Sequence, residues 1–405
     1  MVLAKSGFLW DNYAMTERKL TRKRESDQGG SPRVLRGLRT WVEISSSAVK
    51  NNLCLFRKIV KPKTKIFAVV KSNAYGHGLA EFSRLIDKYG ADGFAVDGIA
   101  EARRLRKEGI DKPMFILGMT LPELFKEAGS LRATLTISNW DALKAFIQKK
   151  APAGFHLKID TGMRRQGFYP EEIGRLAAVL KEKNLKPAGI YTHFAAAKDA
   201  ARLAPTEKQF RLFSEAERTL RRFGFKNFSR HCAATGAAVL DEKYHLDFVR
   251  IGIGLYGRAP SEKLRRQRAG FFRSLMPVFS WRTLVGEIKE LRSGDAIGYD
   301  FTEKVHRAAK MAILPVGYWH GFDRGFSSRG EVLINGRRAK VLGRVSMSMT
   351  AVDVSGINCA VFDEATIIGR QDGEEITAEE AASRIDSANY ELLARVNPLI
   401  KRIIV

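Results

Sequence analysis

Lys71 closes the apolar run Ile66-Phe67-Ala68-Val69-Val70 and opens the stretch Ser72-Asn73-Ala74-Tyr75-Gly76-His77-Gly78. A short run of β-branched and aromatic residues reads as a buried strand. A lysine ending such a strand cannot stay buried and charged without a large cost. It must reach solvent, pair with a carboxylate, or lose its charge, and the last option makes the amine a Schiff-base nucleophile. The same kind of position recurs down the chain. Asp160-Thr161-Gly162-Met163-Arg164-Arg165, His193, Thr235-Gly236 and Arg250-Ile251-Gly252-Ile253-Gly254 all stand at or just beyond the ends of apolar runs. Glycines there free backbone N–H groups for an anion. A lysine able to form an imine, grouped with such amides, points to a phosphate-bearing cofactor held by that lysine: pyridoxal 5'-phosphate.

The elements that must position these residues alternate. Strand patterns fall at 66–71, 94–97, 114–118, 133–137, 155–160, 188–194, 229–233 and 249–253, with helical periodicity in most of the gaps. Phe210, Phe213, Leu220 and Phe223 share one helical face; the stretch from Thr235 to Asp247 carries the weakest helix signal. Eight βα units predict an α/β fold, a (β/α)8 TIM-type barrel with its active site at the C-terminal ends of the strands. After residue 260 a basic connector leads to a mostly β C-terminal domain, with strands expected at 279–288, 311–316, 331–334, 338–342 and 350–354. Asn335-Gly336 signals a type I′ hairpin, and 378–396 reads as helix before a short last strand. The expected division is a basic, mobile tail over 1–37, a cofactor-binding barrel over 38–262 and a β domain over 263–405.

Composition narrows the function classes. The 405 residues carry a net charge of +25, of which the first 37 supply only +4. A basic body attracts anions, but no nucleic-acid recognition motif is present, so nucleic acid is not an expected partner. No apolar run approaches the ~20 residues needed to cross a bilayer, which argues against a membrane partner. Cys54, Cys232 and Cys359 are far apart and odd in number, fitting neither a disulfide framework nor a metal site. No metal is expected, and a reducing, cytoplasmic setting is.

The motif Ala68-Val69-Val70-Lys71-Ser72-Asn73-Ala74-Tyr75-Gly76-His77-Gly78 resembles the cofactor-lysine motif of the alanine racemase family. Lys158-Ile159-Asp160-Thr161-Gly162-Met163-Arg164-Arg165, Tyr191-Thr192-His193-Phe194-Ala195, Val249-Arg250-Ile251-Gly252, Ile297-Gly298-Tyr299, Pro315-Val316-Gly317-Tyr318 and Gly343-Arg344-Val345-Ser346-Met347 resemble further family motifs in the same order, from about residue 38 to the C-terminus. The resemblance implies a pyridoxal-phosphate-dependent racemase interconverting L- and D-alanine for peptidoglycan precursor supply. Lys71 would carry the cofactor and act as one acid/base group; Tyr299 would be the other, brought across a homodimer interface. His193 and Arg250 would support Tyr299, and Arg250 would also serve the pyridine nitrogen. Tyr75, Thr235, Gly252, Ile253 and Tyr390 align with phosphate ligands. Arg165 and Met347 would hold the carboxylate of a small amino-acid substrate, and Lys158 matches a lysine often carbamylated.

Taken singly, these residues have plainer readings. His193 would be a satisfied core histidine, Thr235 a helix cap, the tyrosines packing residues, the arginines ion-pair partners and Lys158 a paired strand lysine. The ordered set argues against all of them at once. The sequence departs from the family pattern at Ser348, at Trp319-His320 and at Lys198, removing acid near the expected substrate corridor. That raises a broad-specificity racemase, acting on serine, lysine or arginine, as an alternative. A non-catalytic cofactor carrier, which the β domain disfavours, and a decarboxylase, which Arg165 disfavours, are the other rivals.

Overall fold

The computed structural model describes residues 37–405. The expected tail lies outside them except for its last residue. The barrel strands are β2 (Lys65–Val69), β3 (Gly93–Val96), β4 (Met114–Ile116), β5 (Ala133–Ile137), β6 (Phe155–Lys158), β7 (Gly189–Tyr191), β8 (Ser229–His231) and β9 (Phe248–Ile251). All pair in parallel in the order β8-β7-β6-β5-β4-β3-β2-β9, and a bridge between Ala234 and Arg250 brings the two ends together. The expected eight strands are all present, several ending two or three residues early. The last connection is a six-residue helix, Thr235–Leu240, and a single 3-10 turn.

Alternation along these strands sorts the chemistry. Ile66, Ala68 and Val70 pack outward with the helices, as do Leu157, Val249 and Ile251. Phe67, Val69, Ala95, Phe115, Tyr191 and Phe248 form a separate cluster, the barrel interior. On β6 and β9 that inward set is continued by His156 and Lys158 and by Arg250, all buried. The interior is tight: a Cβ at Gly189 would lie 2.6 Å from the His156 ring.

The first strand, β1 (Thr40–Ile44), is not a barrel strand. It pairs antiparallel with β10 (Phe279–Leu284) and parallel with β20 (Lys401–Ile404), within the second sheet. The described residues therefore start in the β layer, enter the barrel, and return. The long strand expected at 279–288 is two, β10 and β11 (Glu287–Leu291). Val285 and Gly286 break it: their amides bond to the carbonyls of Asp363 and Ile313, which lie far apart along the chain. Beyond β12 (Ala296–Ile297) and β13 (Glu303–Lys304), a two-stranded pair, come β14 (Ala309–Leu314), β15 (Glu331–Ile334), β16 (Arg337–Leu342), β17 (Thr350–Asp353), β18 (Glu364–Gln371) and β19 (Glu374–Ile376). Asn335 and Gly336 both take positive φ, 48° and 69°, as a type I′ turn between β15 and β16 requires. The expected helix at 378–396 is two short ones, Ala378–Ser383 and Asn389–Ala394.

Among the described residues no helix is long and apolar enough to cross a membrane, and no cluster of His, Cys, Asp and Glu could hold a metal ion.

Candidate active site

A cavity of about 970 Å³ opens at the C-terminal mouth of the barrel. Lys71, Tyr75, Lys158, Arg165, His193, Thr235, Arg250, Gly252, Ile253 and Tyr390 all line it. Two residues expected at the site do not. Tyr299 and Met347 stand on the β domain, 68% and 56% exposed. There Met347 shares an exposed apolar edge with Tyr318, Trp319 and Met349, joined by backbone bonds from Tyr318 to Ser346, Trp319 to Met347 and Ser346 to Met349; the turn bearing Tyr299 and the exposed Phe301 adjoins it through the Asp300–Arg344 ion pair.

Of the three fates open to Lys71, the structure takes the first two. Its side chain is 40% exposed and its Nζ lies 3.3 Å from Asp97 Oδ1. The backbone after it is unusual: Ser72, Asn73, Ala74 and Tyr75 have φ of 56°, 55°, 52° and 53°. Four successive non-glycine residues in the left-handed region cost about 1–2 kcal/mol each. The turn lifts Lys71 and Tyr75 to the cavity rim. Gly76 ends it at φ +86°, seated so that a Cβ would overlap the Leu393 carbonyl at 1.9 Å. That contact locks the lysine segment to the short helix bearing Tyr390.

The hydroxyls and amides form a cradle. Thr235 Oγ1 accepts from the Gly252 and Gly254 amides, each at 3.3 Å. A Cβ on Gly252 would meet Tyr75 Oη at 2.7 Å, so only glycine admits that phenol. Burial and the nearby Tyr390 push the Tyr75 phenol up to about 12, keeping it a donor.

Beneath the mouth lies a buried basic network. Arg250 donates to His231 Nδ1 at 2.5 Å, to the Thr192 carbonyl at 2.8 Å and to the Cys232 carbonyl at 3.2 Å, with His193 Nδ1 3.5 Å away. His231 Nε2 in turn lies 2.8 Å from His156 Nδ1. Burial and the Arg250 charge hold His156 at about 3, and His231 and His193 well below the usual range. All three imidazoles are neutral. Burial brings Arg250 down to about 10, still charged at neutral pH. Burial, then Arg250 and Arg165, lower the Lys158 amine to about 6, and it sits 4.3 Å over the Tyr191 ring. Sequence reasoning named Lys158, His193 and Arg250 but missed Asp97, His156 and His231. Alternation was the available signal for the histidines, since His156 is two residues before Lys158 on β6.

The turn that carries Arg165 is held by Asp160, whose Oδ1 accepts from the Gly162 and Arg164 amides at 2.9 and 3.0 Å. Arg165 itself is exposed in the cavity and, among the described residues, has no carboxylate within ion-pair distance. Lys198 also lines the cavity. Of the other departures, Trp319 is half exposed on the β-domain edge, His320 is buried, and Ser348 does not line the cavity.

A strand-end lysine, a basic pocket at the mouth of a parallel barrel and a following β domain define a barrel-type enzyme. The alanine racemase N-terminal domain profile matches residues 44–260, and the C-terminal domain profile residues 278–404. The alanine racemase of Leptospira interrogans is 37% identical over 375 residues, covering 90% of this chain and 96% of its own. That of Methanococcus maripaludis is 37% identical over 372 residues, covering 90% and 98%. The crystal structure of alanine racemase from Bacillus anthracis with bound L-Ala-P matches with a TM-score of 0.86 at 30% identity, covering 91% of this chain and 95% of that one. The chain belongs to the alanine racemase family and is an isomerase.

Proposed function

We propose that the protein interconverts L- and D-alanine with pyridoxal 5'-phosphate, in the cytoplasm, supplying D-alanine for peptidoglycan precursors. The observation that carries this is one cavity lined by an amine able to form an imine, a cradle of hydroxyls and glycine amides, and an arginine with no carboxylate partner among the described residues. That donor set fits the cofactor. Lys71 would hold its carbonyl carbon, Tyr75, Thr235, Tyr390 and the amides of Gly252 and Ile253 its phosphate, and Arg250 its ring nitrogen. When bound, the cofactor supplies an electron sink that acidifies the α-C–H of an amino acid.

The chain's own groups do the rest. Arg165 orients the substrate carboxylate through a charge-assisted bond, joined by the Met347 amide. Lys71 Nζ exchanges the proton on one face. Arg250 does not release its proton, so it would hold the ring nitrogen by a hydrogen bond without protonating it, which would keep the sink weak. Tyr299 exchanges the proton on the other face, supported by His193 and Arg250. Its exposure on an apolar edge supports delivery to the cavity of a second copy, in a homodimer. The Lys158 amine, neutral because buried, is suited to add to carbon dioxide, forming an N–C bond and releasing a proton; the resulting carbamate would brace Arg165. The tail, barrel and β domain divide as 1–37, 38–262 and 263–405 in this reading, with β1 contributed to the β layer.

Among the rivals, charge favours alanine over lysine and arginine. The cavity-lining carboxylates are already paired, Asp97 with Lys71 and Glu391 with Arg395 at 2.7 Å. Arg165 and Lys198 have no such partner among the described residues, so a cationic side chain would meet positive charge. A chiral assay of the holoenzyme on alanine, serine, lysine and arginine tests this. Alanine turnover is expected to dominate; comparable lysine or arginine turnover would establish the broad-specificity reading. A cofactor band near ~420 nm with no racemisation at all would establish the carrier.

A further inference from the structure

The left-handed turn after Lys71 does not hold itself. Within it, the Ala74 amide reaches the Val70 carbonyl at 2.9 Å and the Gly76 amide the Ser72 carbonyl at 3.2 Å. At its far end Asn73 Oδ1 accepts from the Leu79 amide at 2.8 Å. The amides at its start are taken up from outside. Glu101, in the first turn of the helix Ile99–Lys107, accepts the Ser72 amide on Oε1 at 2.6 Å, with the Asn73 amide 3.4 Å away. Its other oxygen, Oε2, accepts the Asp97 amide at 2.8 Å.

The second bond is ordinary for a carboxylate in a first helical turn, which gathers amides at its own N-terminus. The first is not, because Ser72 is 29 residues away and the helix gains nothing from it. One carboxylate thus grips the two segments that meet at Lys71: the turn that carries its backbone, and the loop whose Asp97 side chain faces its Nζ at 3.3 Å.

We propose that Glu101 is a positioning residue for Lys71, holding the strained turn and the Asp97 loop in mutual register so that the amine is presented to the cavity. This deepens the reading above, on which Lys71 is the cofactor-bearing residue. Glu101 does not line the cavity and acts only through the backbone it holds.

The test uses the cofactor-free full chain and its reconstitution. The rate of Lys71 acetylation by acetic anhydride, followed by peptide mass spectrometry against the exposed Lys289, reads the presentation of the amine without turnover. Glu101→Ala is expected to change that ratio severalfold and to weaken pyridoxal phosphate binding by about tenfold or more, as misplacement of a reacting group does. Glu101→Gln retains one acceptor oxygen and should fall between. Ser72→Gly in the Glu101→Ala background should recover part of both, because glycine adopts the left-handed conformation without cost; loss of a helix cap would not respond to it. Wild-type acetylation and affinity in Glu101→Ala, or a loss that Ser72→Gly leaves untouched, would overturn the proposal. If Glu101→Ala does not fold, the same measurements on Glu101→Gln, with and without Ser72→Gly, decide it. Unaltered Lys71 labelling in Glu101→Ala, with an active wild-type racemase, would sink this proposal alone; altered labelling in Glu101→Ala, with a wild-type holoenzyme that racemises nothing, would sink the functional reading alone.

Discussion

The barrel mouth and the edge of the β domain carry motifs of the same family, yet they are in different physical states. At the mouth, side chains from six strands and a distant short helix converge, with Lys158, Thr235 and Arg250 buried and Lys71, Thr235 and Arg250 bonded to neighbours. At the edge, Tyr299, Phe301, Tyr318, Trp319, Met347 and Met349 are exposed, and none of them lines the cavity at the mouth. An isolated exposed aromatic needs no explanation, but a contiguous apolar edge does. On the function proposed above, the mouth would be a site lacking one reactive side, and the edge a reactive side lacking a site. A two-fold pair of chains would complete both at once.

The largest expected effect breaks that comparison directly. Lys71→Ala and Tyr299→Phe should each abolish racemisation almost entirely. Mixed in equal amounts and allowed to exchange subunits, they should recover about a quarter of wild-type activity, since half the dimers are mixed and each mixed dimer has one intact site. No recovery, in a mixture shown by native mass spectrometry to have exchanged, would mean that Tyr299 is not supplied across an interface. Next in size is Arg165→Met. Removing the one unpartnered guanidinium of the mouth should raise KM for alanine by roughly tenfold to a hundredfold. Lysine at the same position should restore only part, because it lacks the planar fork. A KM that does not move would take substrate binding away from Arg165.

The two regions also differed in how much of them was legible beforehand. Barrel strands show in sequence because both faces are buried, and each run ends on the residue that faces the mouth. Lys71, His193 and Arg250 were visible for that reason. Asp97 was not, because it meets the Lys71 amine from another strand's loop, and Glu101 was not, because it acts on a backbone conformation no local pattern announces: Ser72 to Tyr75 have ordinary side chains in an extraordinary turn. The β domain was harder. Asn335-Gly336 announced its hairpin, but β18 and β19 were missed, and the break at Val285-Gly286 depends on partners far along the chain. That β1 belongs to the second sheet is equally a matter of long-range pairing with β10 and β20.

Acid should separate the two regions further. His77, buried beside the mouth, has its Nε2 without a hydrogen-bond partner and is held at about 3 by burial, against an ordinary 6.5. His156 is held at about 3 as well. Both take up protons in the unfolded chain before the folded one. Their contribution to stability is therefore complete above about pH 6.5 and lost as pH falls toward 3. Urea midpoints should drop steeply across that window, and His77→Phe should make the drop shallower by roughly one proton. A slope insensitive to His77 would mean that this ring is not neutral in the folded protein.

The smallest effect concerns backbone strain, and here the two regions should respond with opposite signs. Ser72 is exposed and sits in the left-handed region at φ 56°, so its replacement by glycine removes strain and no buried contact. Glycine also loosens the unfolded chain, which offsets part of the gain. A net stabilisation of about 0.5–1 kcal/mol is expected, seen as a rise in Tm of the cofactor-free protein. Asn335 has the same sign of φ but a residue type that tolerates it. Its Nδ2 donates to the Asn358 carbonyl at 2.8 Å and to Asp363 Oδ2 at 3.1 Å. Asn335→Gly therefore has little strain to relieve and two bonds to lose, and should destabilise by about 1 kcal/mol. If both substitutions lowered Tm alike, the turn after Lys71 would be no more strained than a hairpin. The positioning assigned to Glu101 would then have nothing to oppose.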